Sequence, residues 1–476
     1  MNNRELGENV MSETPLYYKT ISQIAELLSS KKLSPVELTK VMLDRIEQLD
    51  DQLKSYATIT AEQAMTAAQQ AEQEITDGNY LSLLHGVPIG VKDLLFTDGI
   101  RTMGGAYVMG AHIPEHDSTV VKKLKESGAV ILGKLNLTEG AMGGYHPKFD
   151  IPINPWNPDR WTGSSSSGSG VATAAGLCSG SIGSDTGGSI RFPSAACGIV
   201  GLKPTYGRVS RYGVLELALS MDHVGPMTRS VADSGIILEA ISGMDRNDKC
   251  ALKAPVPKML EKIDQGINGL RIGYDENYAT KDVDAELALA VSDGVKLLQE
   301  LGAEIIDVEV PDIDEYVLAW PTICSWEAVK AHVKCYPSHR EHYGPWFQGW
   351  LDMGAKVTPA EYQKAHKLRT ACTEHFSRVF QDIDVLVCPS MSAPPHPITP
   401  EMLYGPMETR PAKFQRFTVP FNYNGAPTLS VPCGMNSEGL PLSIQFIGKD
   451  LSEPLLLQVG NAYESATTWH TLHPDV

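Results

Sequence analysis

The 476-residue sequence predicts an α/β fold, a single large domain with a central mixed, largely parallel β-sheet covered by helices. Three observations carry this prediction. From residue 85 onward, short apolar runs bounded by Gly and Pro, the pattern of buried strands, alternate with helical periods. No internal repeat and no interdomain linker divides the chain. Hydrophobic residues make up 42% and charged residues 20%, which excludes a disordered chain, a collagen and a coiled coil. The whole of 1–476 is therefore read as one unit. It has a helical region at 20–76, a core at 85–240, a variable excursion at 250–410, and core strands with a helix at 411–476.

Taken in order, ISQIAELLSS and SPVELTKVMLDRIEQL carry apolar residues at three-and-four spacing, with Ser34 as N-cap before Pro35. ITAEQAMTAAQQAEQEI continues the helical pattern. HGVPIGVKDLLF and GAVILGKLNL read as strands around the helix DSTVVKKLKESG, a strand–helix–strand unit. Residues 157–213 are rich in Gly, Ser and Ala. Helical rhythm in VATAAGLCSG and strand or turn character in IRFPSAACGIVGLKP favour packed small-residue backbone over a flexible linker. SVADSGIILEAISG is a helix closed by Gly243. GLRIGYDEN and AEIIDVEVPD are strands on either side of DAELALAVSDGVKLLQELG, and 310–381 is mostly helical. DIDVLVCPS is a strand and APPHPITPEMLYGP is irregular. APTLSVP and LPLSIQFIG are strands, and SEPLLLQVGNAYESA is a terminal helix.

The formal charge of −17 repels phosphate backbones and anionic lipid, which argues against nucleic acid as a partner. Eight cysteines, none in a C-x-x-C pair, are too sparse for a disulfide scaffold and read as reduced thiols. The N-terminal stretch lacks an apolar export segment, and no run is long enough for a membrane helix, so a cytoplasmic protein without a membrane partner is expected. In that setting Asn136-Leu137-Thr138 is a chance sequon. His339 and His342 lack the neighbours of a metal pair, and no metal is expected.

Phosphate-loop, dinucleotide, zincin and G-x-S-x-G motifs are absent. What remains is Ser-rich backbone and lysine. In SDTGGSIR, residues 184–191, two glycines precede Ser189 and let the backbone turn so that its N–H groups form an anion nest. A serine there can attack a carbonyl if a base takes its proton. No histidine lies between 147 and 222, so a lysine made neutral by burial is the candidate base. Lys92, after the apolar VPIGV, is the best placed; Lys134 in ILGKLN is a second. A Ser/Lys hydrolase, an anion-binding loop and close structural packing all fit these residues.

The chain resembles the amidase signature family. The resemblance runs from about 20 to 240 and resumes in the C-terminal strands. It is carried by HGVPIGVKD, GKLNLTEGAMGG, GSSSSGSGVATAAGL and GSDTGGSIRFPSAACGIVGLKPTYGRVS. It implies the fold of that family and a Ser–cis-Ser–Lys triad of Lys92, Ser165 and Ser189, with no cofactor. Ser164 and Ser167 stand where the family often has glycine, so Ser164 and Ser166 compete with Ser165 for the bridging position. The resemblance further implies an oxyanion hole at Thr186, Gly187 and Gly188, a supporting pair Asp185 and Arg191, and a substrate loop of Met142, Gly143, Gly144 and Tyr145. The expected partner is a small-molecule amide; a homodimer is allowed.

Three activities are compatible with the family. In the glutaminase component of the tRNA-dependent amidotransferase an Asp precedes F-T-V-P-x-N; here Gln415 and Arg416 stand in that place. The arginine-containing carboxylate-binding stretch of that component is not evident either. A stand-alone amidase for a small carboxamide, anilide or carbamate is favoured, with Tyr145, Trp156, Trp320, Trp326, Trp346 and Phe347 as candidate pocket aromatics. A non-catalytic scaffold is the third reading, disfavoured by the intact Lys92, Ser165 and Ser189.

Overall fold

Helix starts follow the capping residues. A computed structural model describes residues 14–407 and 414–476 of the chain. Most of the N-terminal stretch read for an export segment, and the boundary at 410/411, lie outside the described residues. Thr20 and Gln23 form a capping box that opens α1 (Ile21–Ser29). The Ser34 hydroxyl accepts from the N–H groups of Val36 and Glu37 at the start of α2 (Pro35–Leu53). Helix α3 (Ala61–Thr76) buries Ala64, Ala68, Ala71 and Ile75 along one stripe. Between α2 and α3 lies a short strand absent from the sequence reading, β1 (Tyr56–Ile59), which pairs antiparallel with β3.

The expected strand–helix–strand unit is β2 (Pro88–Lys92), α4 (Thr119–Glu126) and β3 (Val130–Leu135). Then come α5 (Ser167–Ala174), β4 (Gly180–Asp185), α6 (Arg191–Cys197), β5 (Val200–Lys203), β6 (His223–Thr228) and α7 (Val231–Ile241). The next region contributes β7 (Arg271–Tyr274), α8 (Glu276–Thr280), α9 (Ala285–Glu300), β8 (Glu304–Asp307), α10 (Asp314–Ala331), α11 (Pro345–Lys356), α12 (Pro359–Val379), β9 (Val385–Pro389) and α13 (Pro400–Tyr404). The chain closes with α14 (Val419–Tyr423), β10 (Thr428–Met435), β11 (Pro441–Gly448) and α15 (Glu453–Ser465).

All eleven described strands join one mixed sheet, in the order β1-β3-β2-β4-β6-β5-β10-β11-β9-β7-β8. The α/β class holds, but the balance within the sheet differs from the expected one. Parallel pairing is confined to β3-β2-β4 and β9-β7-β8, while the remaining neighbours are antiparallel. Two of the six antiparallel pairs come from β6, which the sequence reading passed over. It runs antiparallel between β4 and β5, and Pro226 within it hides the strand pattern.

Two local readings are corrected. RFPSAAC is a helix rather than strand or turn, because every residue of α6 is buried and no polar face marks a helical period. PEMLY, inside the Pro-rich stretch, forms the short α13, with Pro400 at the helix start and Thr399 accepting from the N–H of Met402.

The parallel pair β2 and β4 positions the site. Val91 lies opposite Ile182, so Lys92 at the end of β2 emerges beside the last residues of β4. In α/β sheets, ligands bind at such carboxyl ends.

Candidate active site

Lys92 is fully buried. Its Nζ lies 2.7 Å from Ser165 Oγ, 2.8 Å from Ser166 Oγ and 2.9 Å from Ser184 Oγ. Three hydroxyls suit either an ammonium donating three bonds or an amine donating two and accepting one. Burial favours the amine, pushing Lys92 well below the lysine range, against a partial opposing pull from the charges of Asp185 and Asp222.

The three serines differ in what they can give. Ser166 Oγ donates to the carbonyl of Ser184 and accepts from the Ser184 N–H, so its proton is already committed. Among the described residues, the Ser165 hydroxyl has no such commitment. The peptide bond Ser164–Ser165 is cis, and the Ser165 carbonyl accepts from the N–H of Thr138 at 3.3 Å. Ser166, a competitor for the bridging position in the sequence reading, touches the lysine as well, and Ser184 is a lysine neighbour that reading did not single out. The signal for Ser184 was the parallel register of β2 and β4.

Ser189 is only partly buried and lines a cavity of about 290 Å³ together with Ser164. The N–H of Ser166 donates to the Ser189 carbonyl at 3.3 Å, joining the two serine segments. Thr186 and Gly187 line the same cavity. Gly188 does not act as expected, since its N–H donates to Asp185 Oδ1 at 2.9 Å. The N–H groups of Thr186, Gly187 and Ser189 remain as candidate donors to an oxyanion.

Asp185 and Arg191 form a fully buried pair. Arg191 Nε and Nη2 donate to the two carboxylate oxygens at 3.0 and 2.8 Å, a bidentate geometry. Asp185 also accepts from the N–H groups of Gly188 and Ile190, and from Asn422 Nδ2 at 2.8 Å. Burial alone would raise its carboxyl. The Arg191 charge and hydrogen bonds, with Lys203 and Asn422, reverse this and hold it well below the carboxylate range. The pair thus fixes the turn that carries Ser189, and sequence reasoning had no access to Asn422, 237 residues away.

Gly188 has φ +131°, and a Cβ there would come 2.4 Å from Phe192 Cε2. Gly188→Ala is expected to lower amide turnover at least about tenfold by displacing this turn, a strain of about 1–3 kcal/mol. Steady-state kinetics with circular dichroism as a fold control check it.

Lys134, the second candidate base, lies elsewhere. Its Nζ donates to the Leu95 carbonyl and to Thr102 Oγ1, both at 2.6 Å, and lies 3.5 Å from Asp93 Oδ1. Burial lowers it to about 8, partly offset by Asp93.

Met142 and Gly143 line the cavity, whereas Gly144 and Tyr145 do not. Tyr145 is buried and its hydroxyl donates to Ser167 Oγ at 2.8 Å. Of the aromatics expected at the pocket, Trp320 and Trp346 are present; Trp156, Trp326 and Phe347 are not, and Trp350, Phe192 and Phe414 stand in the wall instead. Trp320 Nε1 donates to the Thr186 carbonyl at 3.0 Å, so its indole is held against the nest. Gln415 also lines the cavity, while Arg416 turns away to the Lys281 carbonyl. Among the described residues, none of the lining side chains is charged.

Residues 37–457 match the family described as Amidase. A Mycobacterium tuberculosis protein named "Putative amidase AmiD" is 42% identical over 472 residues, covering 99% of this chain and 98% of that protein. The A component of the glutamyl-tRNA(Gln) amidotransferase of Geobacter sp. (strain M21) is 38% identical, covering 95% of this chain and 98% of its own. Among solved structures, a bacterial aryl acylamidase of the amidase signature family superposes with a TM-score of 0.87 at 26% identity, covering 96% of this chain and 98% of the other. The match over nearly the whole length makes the chain a member of the amidase signature family, an amide hydrolase.

Proposed function

We propose that the chain is a stand-alone amidase that cleaves a small, uncharged carboxamide, anilide or carbamate through an acyl-enzyme on Ser189. The observation that carries this reading is a buried lysine whose close polar neighbours are serine hydroxyls, beside a partly exposed serine in a cavity whose described lining is uncharged. Neutral Lys92 takes a proton from Ser165 as Ser165 takes one from Ser189. The Ser189 oxygen bonds to the amide carbon, and the carbonyl electrons move onto oxygen, facing the N–H groups of Thr186, Gly187 and Ser189. The C–N bond then breaks as the relay returns its proton to the leaving nitrogen. Water attacks the ester by the same route, releasing the acid and restoring Ser189.

The lining supports the substrate class. The described lining offers the charged amino and carboxylate groups of glutamine no charged partner, which would leave them poorly compensated there. Gln415 is a neutral amide, and Trp320, Trp346 and Trp350 offer apolar surface instead. The acidic surface and unpaired thiols support a cytoplasmic protein without a nucleic-acid partner.

A panel of 4-nitroanilides, primary amides, carbamates and L-glutamine tests the reading. Aryl and alkyl amides are expected to exceed glutamine at least about a hundredfold in kcat/KM, the scale on which unpaired charges exclude a ligand. Comparable rates on glutamine would overturn it. Phenylmethylsulfonyl fluoride is expected to label Ser189, with peptide mass mapping as the readout. A chain that hydrolyses nothing and takes no label would favour the scaffold reading.

A further inference from the structure

We propose that Glu139 is a positioning residue for the acyl pocket: it ties the loop bearing Met142 and Gly143 to the helix bearing Trp346, and this seam makes the site favour an aryl acyl group over a short one. The inference rests on reading the cavity beside Ser189 as an acyl pocket.

Glu139 is 1% exposed. Its Oε2 accepts from the Gly344 N–H at 2.8 Å, and Oε1 has no hydrogen-bond partner among the described residues. Its main chain closes the loop as well: the N–H donates to the Gly144 carbonyl, and its own carbonyl accepts from the Met142 N–H. Gly344 is the N-cap of α11, which brings Trp346, Trp350 and Met353 to the cavity. One carboxyl therefore holds two walls of the same pocket.

The seam is tight on both sides. A Cβ on Gly143 would lie 2.8 Å from Trp346 Cζ2, and one on Gly144 would lie 2.5 Å from Trp346 Cβ. The indole thus lies flush on glycine backbone, and the loop bends under it at Gly140 and Ala141, both in the left-handed region. A Cβ on Gly344 would come 2.7 Å from Glu139 Oε2. A side chain there would push the carboxyl from its place. Burial pushes the Glu139 carboxyl up to about 8, with the Gly344 N–H partly opposing. That shift favours the neutral carboxyl, to which a glutamine is close in shape.

Ser189 and Trp346 line the same cavity, and an aryl acyl group has a ring to lay against that indole where an acetyl group has only a methyl. Loosening the seam should therefore penalise the aryl substrate alone. N-benzoyl- and N-acetyl-4-nitroaniline share a leaving group and isolate this difference. In Glu139→Ala the benzoyl-to-acetyl ratio of kcat/KM is expected to fall about tenfold, mostly through KM, with acetyl turnover within about threefold of native. Glu139→Gln is expected to keep the native ratio. Gly344→Ala is expected to match Glu139→Ala, and the double variant to be no worse than either alone, because both act on one contact.

An unchanged ratio in Glu139→Ala, equal damage in Glu139→Gln, or additive penalties would each overturn the inference. A binding measurement separates its fate from that of the amidase reading. By tryptophan fluorescence, N-benzoyl-4-nitroaniline is expected to bind Ser189→Ala about tenfold more tightly than Ser189→Ala/Glu139→Ala. That result in a chain with no turnover would sink the amidase reading and leave the seam standing. Equal affinities, or no binding to Ser189→Ala, would sink the seam whatever the turnover.

Discussion

Lys92→Ala is expected to lower amide turnover by about 10³-fold or more while leaving the far-ultraviolet circular dichroism unchanged. Ser165 would keep its hydroxyl but lose the group that takes its proton. Ser166 cannot replace the lysine, because its own proton is held by the Ser184 carbonyl. Lys134 cannot either, since its Nζ is engaged by the Leu95 carbonyl and Thr102, close to Asp93. Lys134→Ala therefore serves as a control whose main effect is on stability. The pH dependence carries the same prediction. In the proposed relay the reactive form of Lys92 is the neutral amine, and burial lowers its pKa. Native kcat/KM should rise as pH passes upward through that lowered value and fall below it, where the ammonium returns. Stopped-point assays across pH would show this acid limb in the native enzyme and its loss from the residual rate of Lys92→Ala. Near-native turnover in the variant would end the lysine-base mechanism.

Arg191→Ala is expected to cost about 3–5 kcal/mol of stability, because it leaves Asp185 charged and buried without its guanidinium. The loss should also reach turnover, since Asp185 holds the N–H groups of Gly188 and Ile190 on either side of Ser189. Urea unfolding followed by tryptophan fluorescence, beside kinetics on the folded fraction, measures both. The folded pKa of Asp185 lies below its unfolded value. Its stabilising contribution is therefore complete above about pH 4 and is lost as pH falls through the folded value. The native protein should weaken in acid on this account, and Arg191→Ala should show a smaller loss. A variant as stable as the native chain at pH 7 would contradict the coupling.

Legibility followed the range of the interactions. Ser34 and Pro35 announced α2 because a cap acts within three residues. The strand at 88–92 and the helix at 119–126 were plain for the same reason. By contrast, α6 was misread because it is buried all round, and β6 was missed because Pro226 breaks its pattern. The pocket was legible only in part. Trp320 and Trp346 were among the aromatics named, but nothing local separates them from Trp156 or Trp326, which lie outside the cavity. Tyr145 sits two residues from Gly143, yet its hydroxyl points to Ser167.

By itself, the order of residues determined the family and named the candidates for the site. The spacing of G-V-K-D, the serine run and D-T-G-G-S is a local signature, and it survives without knowledge of packing. The tertiary structure alone decided which lysine stands among the serine hydroxyls, which N–H groups Asp185 has already taken, and which aromatics line the cavity that holds Ser189. Those outcomes depend on segments as far apart as 92, 165, 320 and 422. Burial and hydrogen-bond competition among such segments exist only once the sheet has brought them together.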